Sequence, residues 1–179
     1  EAGGYLLLKN KKSLLVMDIG KAPDRKFSRD YQAGLFSFEF IFLGEKVITN
    51  SGYFQDYKHQ LNVISKSTAT HSTLVLNNTS STRFERDKNG YMLANKSFKI
   101  LNKEFKKDDK FWFIKVSHDA YSKSNGVIHE RQIKYFNENF KIEGCDKLIK
   151  TKKFKSSSFE IRFHLLPEVN ITKLLNNET

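Results

Sequence analysis

The sequence predicts an all-β fold, a layered antiparallel β-sandwich, and three observations carry that prediction. Apolar and polar residues alternate at a period of two in several short runs, the signature of half-buried strands. Turn signals separate these runs at short intervals, although only two prolines, Pro23 and Pro167, punctuate the 179 residues. No long segment repeats apolar residues at i, i+3 and i+4, as a helix facing a core must. Closely spaced short strands belong to sandwiches and related layered β folds.

In residues 35–43, Phe36, Phe38, Phe40 and Phe42 share one strand face, with Leu35, Ser37, Glu39, Ile41 and Leu43 on the other. Leu43-Gly44-Glu45-Lys46 reads as a tight hairpin turn with glycine at its first central position, returning through Val47-Ile48-Thr49. Residues 72–76 form a strand closed by Asn77-Asn78, and residues 111–116 one entered from a charged turn at 106–110. Asn125-Gly126 marks a turn before a strand over 127–136, and Asn137-Glu138-Asn139 another before 140–143. Phe159, Ile161, Phe163 and Leu165 line one face of a late strand. Residues 21–29, 55–67 and 121–125 are expected as rim loops, where a rigid scaffold commonly carries its site. The expected organisation is one β domain over residues 1–179, without internal repeats.

Composition bounds the function. Hydrophobic residues make up 39%, with 16 Phe, which provides for an aromatic core and excludes wholesale disorder. No apolar run approaches the about 20 residues of a bilayer-spanning helix. Cys145 is the one cysteine, so an internal disulfide is excluded. The net charge of +11 favours a polyanionic partner: nucleic acid, an anionic membrane surface or an acidic polysaccharide. The lysines fall in mixed runs such as residues 9–12, 106–110 and 150–153, with no arginine stripe, zinc-finger spacing or aromatic ribonucleoprotein motif, and nucleic acid is not expected as a partner. The chain opens Glu-Ala-Gly-Gly, with neither an initiator Met nor a signal pattern, and reads as a piece of a longer protein.

Phosphate-binding loops, dinucleotide fingerprints, paired-cysteine metal motifs and the Gly-x-Ser-x-Gly elbow are all missing from the sequence. Five histidines and a set of tyrosines remain. His71 ends the polar segment 65–70 and opens a strand, a place where an imidazole is partly shielded yet reaches a site. His118 shares a strand face with Trp112, Ile114 and Val116, and is followed by Asp119 and Tyr121. His129 and Arg131 share a face of the next strand. A wide connection at 121–126 sets His118 beside His129, whereas a tight turn at Asn125-Gly126 sets His129 opposite Ser122. An isolated strand histidine is more often a hydrogen-bonded structural residue than a catalyst. His164 fits a polar network with Glu160 and Arg162, and His59 a loop. Tyr31, Tyr53, Tyr57 and Tyr91 are able to stack on sugar rings, though abundant aromatics usually pack.

Several ordered segments resemble the C-terminal β domain of heparinase II/III-like proteins. They are Ala-Gly-Leu-Phe-Ser-Phe-Glu-Phe at 33–40, Val-Ile-Thr-Asn-Ser-Gly at 47–52 and the stretch 67–81 around Thr70-His71-Ser72. His-Asp-Ala-Tyr at 118–121, His-Glu-Arg at 129–131, Gly-Cys-Asp at 144–146 and Arg-Phe-His-Leu at 162–165 continue the series. Order and spacing agree from about Gly4 to Pro167. The resemblance implies a sandwich that follows an α-helical toroid domain of the same chain. It also implies β-elimination on an anionic, uronate-containing polysaccharide, in the periplasm or outside the cell. The family's lyases often carry His-x-His-x-Asp before the Ser-Phe-Glu strand. Asp30, Gln32 and Gly34 occupy those positions here, which leaves His71 as the counterpart of the downstream histidine. The expected catalytic residues are His71, His118, Tyr121 and His129, with Arg131, Tyr31 and Tyr53 binding substrate, and neither metal nor cofactor. A non-catalytic carbohydrate-binding or structural module with a degenerate site is the alternative.

Overall fold

The structure, a computed structural model, describes residues 3–95, 98–155 and 158–172. Four strands open it: β1 (Tyr5–Lys9), β2 (Ser13–Asp18), β3 (Phe38–Phe42) and β4 (Glu45–Thr49). Their alternation puts Leu6, Leu8, Leu15, Met17, Phe38 and Phe40 inward, while Tyr5, Leu7, Val16, Asp18 and Glu39 point away. Asn10 makes the β1–β2 turn, its Oδ1 accepting from the N–H groups of Lys12 (2.9 Å) and Ser13 (2.7 Å). The β3–β4 turn differs from the sequence expectation by one residue. Its two central residues are Leu43 (φ 52°) and Gly44 (φ 92°), so glycine stands second and a leucine takes the first left-handed position.

The short helix α1 (Gln60–Ser65) and a 3-10 turn at Thr68–Thr70 lead into β5 (Leu74–Leu76), and β6 (Phe84–Arg86) and β7 (Met92–Ala94) form a small hairpin. A long meander follows, through β8 (Ile100–Lys107), β9 (Phe111–His118), the one-turn helix α2 (Ser122–Asn125), β10 (Val127–Phe136) and β11 (Ile142–Lys150). The expected late strand is two pieces, β12 (Phe159–Ile161) and β13 (His164–Leu165). It divides because the Arg162 N–H donates to the Thr73 carbonyl (3.1 Å) and the His164 N–H to Ser72 Oγ (2.9 Å), which turns the chain from one partner strand to another. Strands 5–9, 13–18 and 100–107 were not among the sequence-derived elements.

Two antiparallel sheets result, ordered β1-β2-β3-β4-β13 and β11-β10-β9-β8, with β5 pairing β12 beside them. Between them lie Leu15, Met17, Phe36, Phe38 and Phe40 from one side and Trp112, Ile114, Val116, Ile133 and Tyr135 from the other. Each such side chain contributes about 1.5–3 kcal/mol by leaving water. The layered β-sandwich is the fold the alternation predicts. Only part of the phenylalanine complement is core, since Phe27 and Phe159 are exposed.

Candidate active site

Register decides the first feature of the site. The wide connection, closed by α2 and by Gly126 in a left-handed cap (φ 68°), sets His129 opposite His118, and the β10–β11 ladder sets Arg131 opposite Asp146. These side chains face inward and join into one directed chain. His118 Nδ1 accepts from the Ala120 N–H (3.1 Å), so its proton is on Nε2, which donates to His129 Nδ1 (3.1 Å). His129 then donates from Nε2 to Asp146 Oδ1 (2.6 Å). Arg131 grips both oxygens of the same carboxylate, through Nε at 2.7 Å and NH2 at 2.9 Å. Both histidines are 1% exposed, and burial holds their pKa values below the ordinary imidazole value. Burial pushes the Asp146 carboxyl up, but the hydrogen bonds from His129 and Arg131 and their charges outweigh it and bring it to about 2.

The remaining arginine nitrogen ties this chain to the other sheet. Arg131 NH1 donates to the carbonyls of Phe36 and Ser72, each at 3.0 Å. Phe36 is fully buried at φ 62°, a conformation costly for a side chain with a Cβ, and its ring packs on His118 with centroids 4.8 Å apart. Its N–H donates to the Asp18 carbonyl (2.9 Å), and the Asp18 N–H donates to the Ser37 carbonyl (3.0 Å). The turn at 34–37 is thereby fixed from both sides.

That turn floors a cleft of about 430 Å³ on the outer face of the first sheet. His71 closes one wall, only 4% exposed, at the end of the Thr68–Thr70 turn. Its Nδ1 donates to the Ser67 carbonyl (2.8 Å), and burial lowers its pKa, so the ring is neutral and Nε2 carries the lone pair. That nitrogen lies 3.2 Å from Gln32 Oε1; with the ring proton on Nδ1 the pair closes as a hydrogen bond once the Gln32 amide turns its NH2 toward the ring, so Gln32 covers the Nε2 lone pair in the empty cleft. Gly34 makes room for the ring: a Cβ there would lie 2.7 Å from His71 Cδ2. Asp18, Asp30, Glu39, Tyr5, Tyr31 and Asn50 also line the cleft, and no lysine or arginine does among the described residues. Burial raises Asp18 to about 7 against the hydrogen bond from Gly20 and the charge of Lys103, while Glu39 is held by Lys46 (2.9 Å) and Asn50 (3.4 Å). Burial also raises the Tyr31 hydroxyl, which stays protonated.

The family model Heparinase II/III-like, C-terminal, matches residues 1–179. The chain belongs to that family. Among solved structures, heparan sulfate lyase HepC from Pedobacter heparinus and a mutant of it each match at 17% identity and TM-score 0.59. A structure of heparinase III matches at 18% identity and TM-score 0.56. Each alignment covers 82% of this chain and 21% of the other, so the heparinase II/III-like chain spans about a fifth of those structures, and the likeness is one of fold.

Within this heparinase II/III-like domain the sequence-expected residues separate into two groups. His71 and Tyr31 line the cleft. Tyr53 stands beside it, its hydroxyl donating to Asp30 Oδ1 (3.2 Å) and accepting from Asn62 (3.0 Å). His118, His129 and Arg131 form the sealed chain, and Tyr121 sits behind it, 1% exposed with its hydroxyl donating to the Leu74 carbonyl (3.4 Å). Arg131, expected against substrate, has its donors committed inside the protein. His59 caps α1 through Nδ1, and His164 Nε2 meets the Ala69 carbonyl. Sequence reasoning missed Asp18, Glu39, Asn50 and Asp146. The period of two offered one signal, since it puts Asp18 on the outer face with Val16. A metal does not fit at the His-x-His-x-Asp positions. Asp30 and Gln32 are poor replacements, the His71 ring fills the space a side chain at 34 would need, and no three His, Cys, Asp or Glu side chains converge among the described residues.

Proposed function

We propose that this domain is the sandwich portion of a longer lyase that cleaves an anionic, uronate-containing polysaccharide by β-elimination, with His71 as the base. The domain would follow an α-helical toroid in the same polypeptide, which supplies the opposite cleft wall and the cation for the uronate carboxylate, and would work in the periplasm or outside the cell. The observation carrying this reading is the state of His71: neutral, with its proton pinned on Nδ1 by Ser67 and its lone pair on Nε2 at the cleft wall, where the Gln32 side chain must swing aside for substrate to reach it. Tyr31 and Tyr53 offer ring faces to sugars. His118, His129, Tyr121 and Arg131 act in this reading from beneath, holding the 34–37 turn and the Ser72–Thr73 peptide just after His71 in place.

The test is a lyase assay of the full-length parent on heparan sulfate, heparin, alginate, hyaluronate and bacterial uronate polymers, following ultraviolet absorbance of the unsaturated product. Turnover on one polymer that falls at least about a hundredfold in His71→Ala, with unchanged melting, is expected. A second reading, a binding module with a degenerate site, draws on Asp30, Gln32 and Gly34 standing at the His-x-His-x-Asp positions. Polymer binding without product across the panel would select it.

A further inference from the structure

Elimination requires two proton transfers. A base removes the C5 proton of the uronate, and an acid protonates the departing oxygen on C4. His71 supplies a lone pair but, with its proton committed to Ser67, no second group for the leaving oxygen. The cleft contains another candidate. Asp18 ends β2 on the outer face, and its two backbone bonds to Phe36 and Ser37 dock it against the same turn that seats the His71 ring. Its Oδ1 accepts from the Gly20 N–H (3.0 Å), and nothing among the described residues donates to Oδ2.

We propose that Asp18 is the proton donor to the leaving glycosidic oxygen, the acid partner of His71 across this cleft. The assignment rests on the eliminative reading above. The groups facing Asp18 are Tyr5 on the neighbouring strand β1, Tyr31 from the 28–34 loop, Glu39 diagonally across on β3 and Lys103 on β8. Only Lys103 is cationic, and burial outweighs its charge, so the carboxyl holds its proton up to about pH 7. Glu39 is already engaged by Lys46 and Asn50, whereas Oδ2 of Asp18 is left for the substrate.

The step balances without any added reagent. The C5–H bond breaks as its proton passes to His71 Nε2, and the electron pair forms the C4=C5 double bond. The C4–O bond breaks, and the leaving oxygen takes the proton from Asp18 Oδ2. The proton on the imidazolium then returns through solvent to the Asp18 carboxylate, which restores both groups.

Substrate choice provides the test in the full-length parent. Asp18→Asn keeps the acceptor for Gly20 but has no acidic proton. Turnover of the natural polymer should fall about 10²–10⁴-fold. A uronate with fluoride or a nitrophenolate on C4, which departs without protonation, should lose less than about tenfold. The wild-type rate should also decline above about pH 7 with the natural polymer and not with the activated one. Equal losses on both substrates, or no loss on the natural one, would overturn the assignment. His71→Ala separates the two ideas, because the base is needed for either substrate. If it abolishes both activities while Asp18→Asn spares both, His71 stands and Asp18 falls. Absence of elimination by the wild type on the activated compound removes both.

Discussion

Two regions of this protein pair histidine with aspartate, and they behave as opposites. In the sealed chain from His118 to Asp146 every donor meets an acceptor and only one proton arrangement satisfies them all. In the cleft, the His71 lone pair meets only the movable Gln32 side chain, and Asp18 keeps an oxygen without a donor among the described residues. Identical residue types are closed off in one place and, on the proposed reading, exchange protons in the other, because chemistry needs a valence that solvent or substrate can reach.

The sharpest way to break this contrast is Arg131→Met. It leaves Asp146 charged in the interior and strips two carbonyls of their donor, and should destabilise the protein by about 3–5 kcal/mol in chemical unfolding. The double variant with Asp146→Leu should recover much of that loss. Near-native stability of the single variant would show that the chain is ornamental.

Acid separates the regions next. His71, His118 and His129 have folded pKa values below the unfolded 6.5, so the unfolded chain takes up protons first and stability falls as pH drops below 6.5. Asp146, at about 2 against 3.8, adds a further loss on the order of 2 kcal/mol between about pH 4 and 2. Asp18 runs the other way: raised from 3.8 to about 7, it favours the folded state at low pH and loses that contribution as pH rises through 7. Asp18→Asn should therefore stabilise the protein more at pH 8 than at pH 5, and melting curves at the two values read the difference.

Gly34→Ala sharpens the cleft side. The new methyl would press on His71 Cδ2 and on Ser37 Oγ, 3.0 Å away, with an expected loss of about 1–3 kcal/mol and a displaced His71 imidazole resonance. The smallest effect lies far from either region. Leu43→Asn, at φ 52° in the β3–β4 turn, should gain up to about 1 kcal/mol in melting experiments.

The parts legible in the sequence were those that periodicity governs. Phe38, Phe40 and Phe42 do pack toward the core along β3, and His71 does stand between a polar segment and a strand; Phe36, expected on the same strand, is buried instead from the left-handed turn before it. Strands β1 and β2 were hidden because the lysine run at 9–12 reads as an extended loop when it is a tight Asn10 turn. The segment 65–70 reads only as polar, yet Lys66 and Thr68 are buried, as are Ser72 and Thr73 after it, since their polar atoms tie separate loops together. Nothing local says that Arg131 reaches across the core to Phe36. The shared face of His129 and Arg131 was visible, but which side of the sheet it takes depends on residues a hundred positions away.

The cross-strand partnerships of the sealed chain also bear on how the long meander finds its alignment. Strands β9 and β10 alternate so regularly, with β11 paired at the same parity, that sliding one by two residues would keep the same face of each strand inward. Hydrophobicity alone barely penalises such a slip. Two residues of displacement would, however, separate His118 from His129 and leave Arg131 and Asp146 each stranded in the interior. The polar links thus act as alignment pins, giving three interchangeable-looking strands one admissible way to lie together.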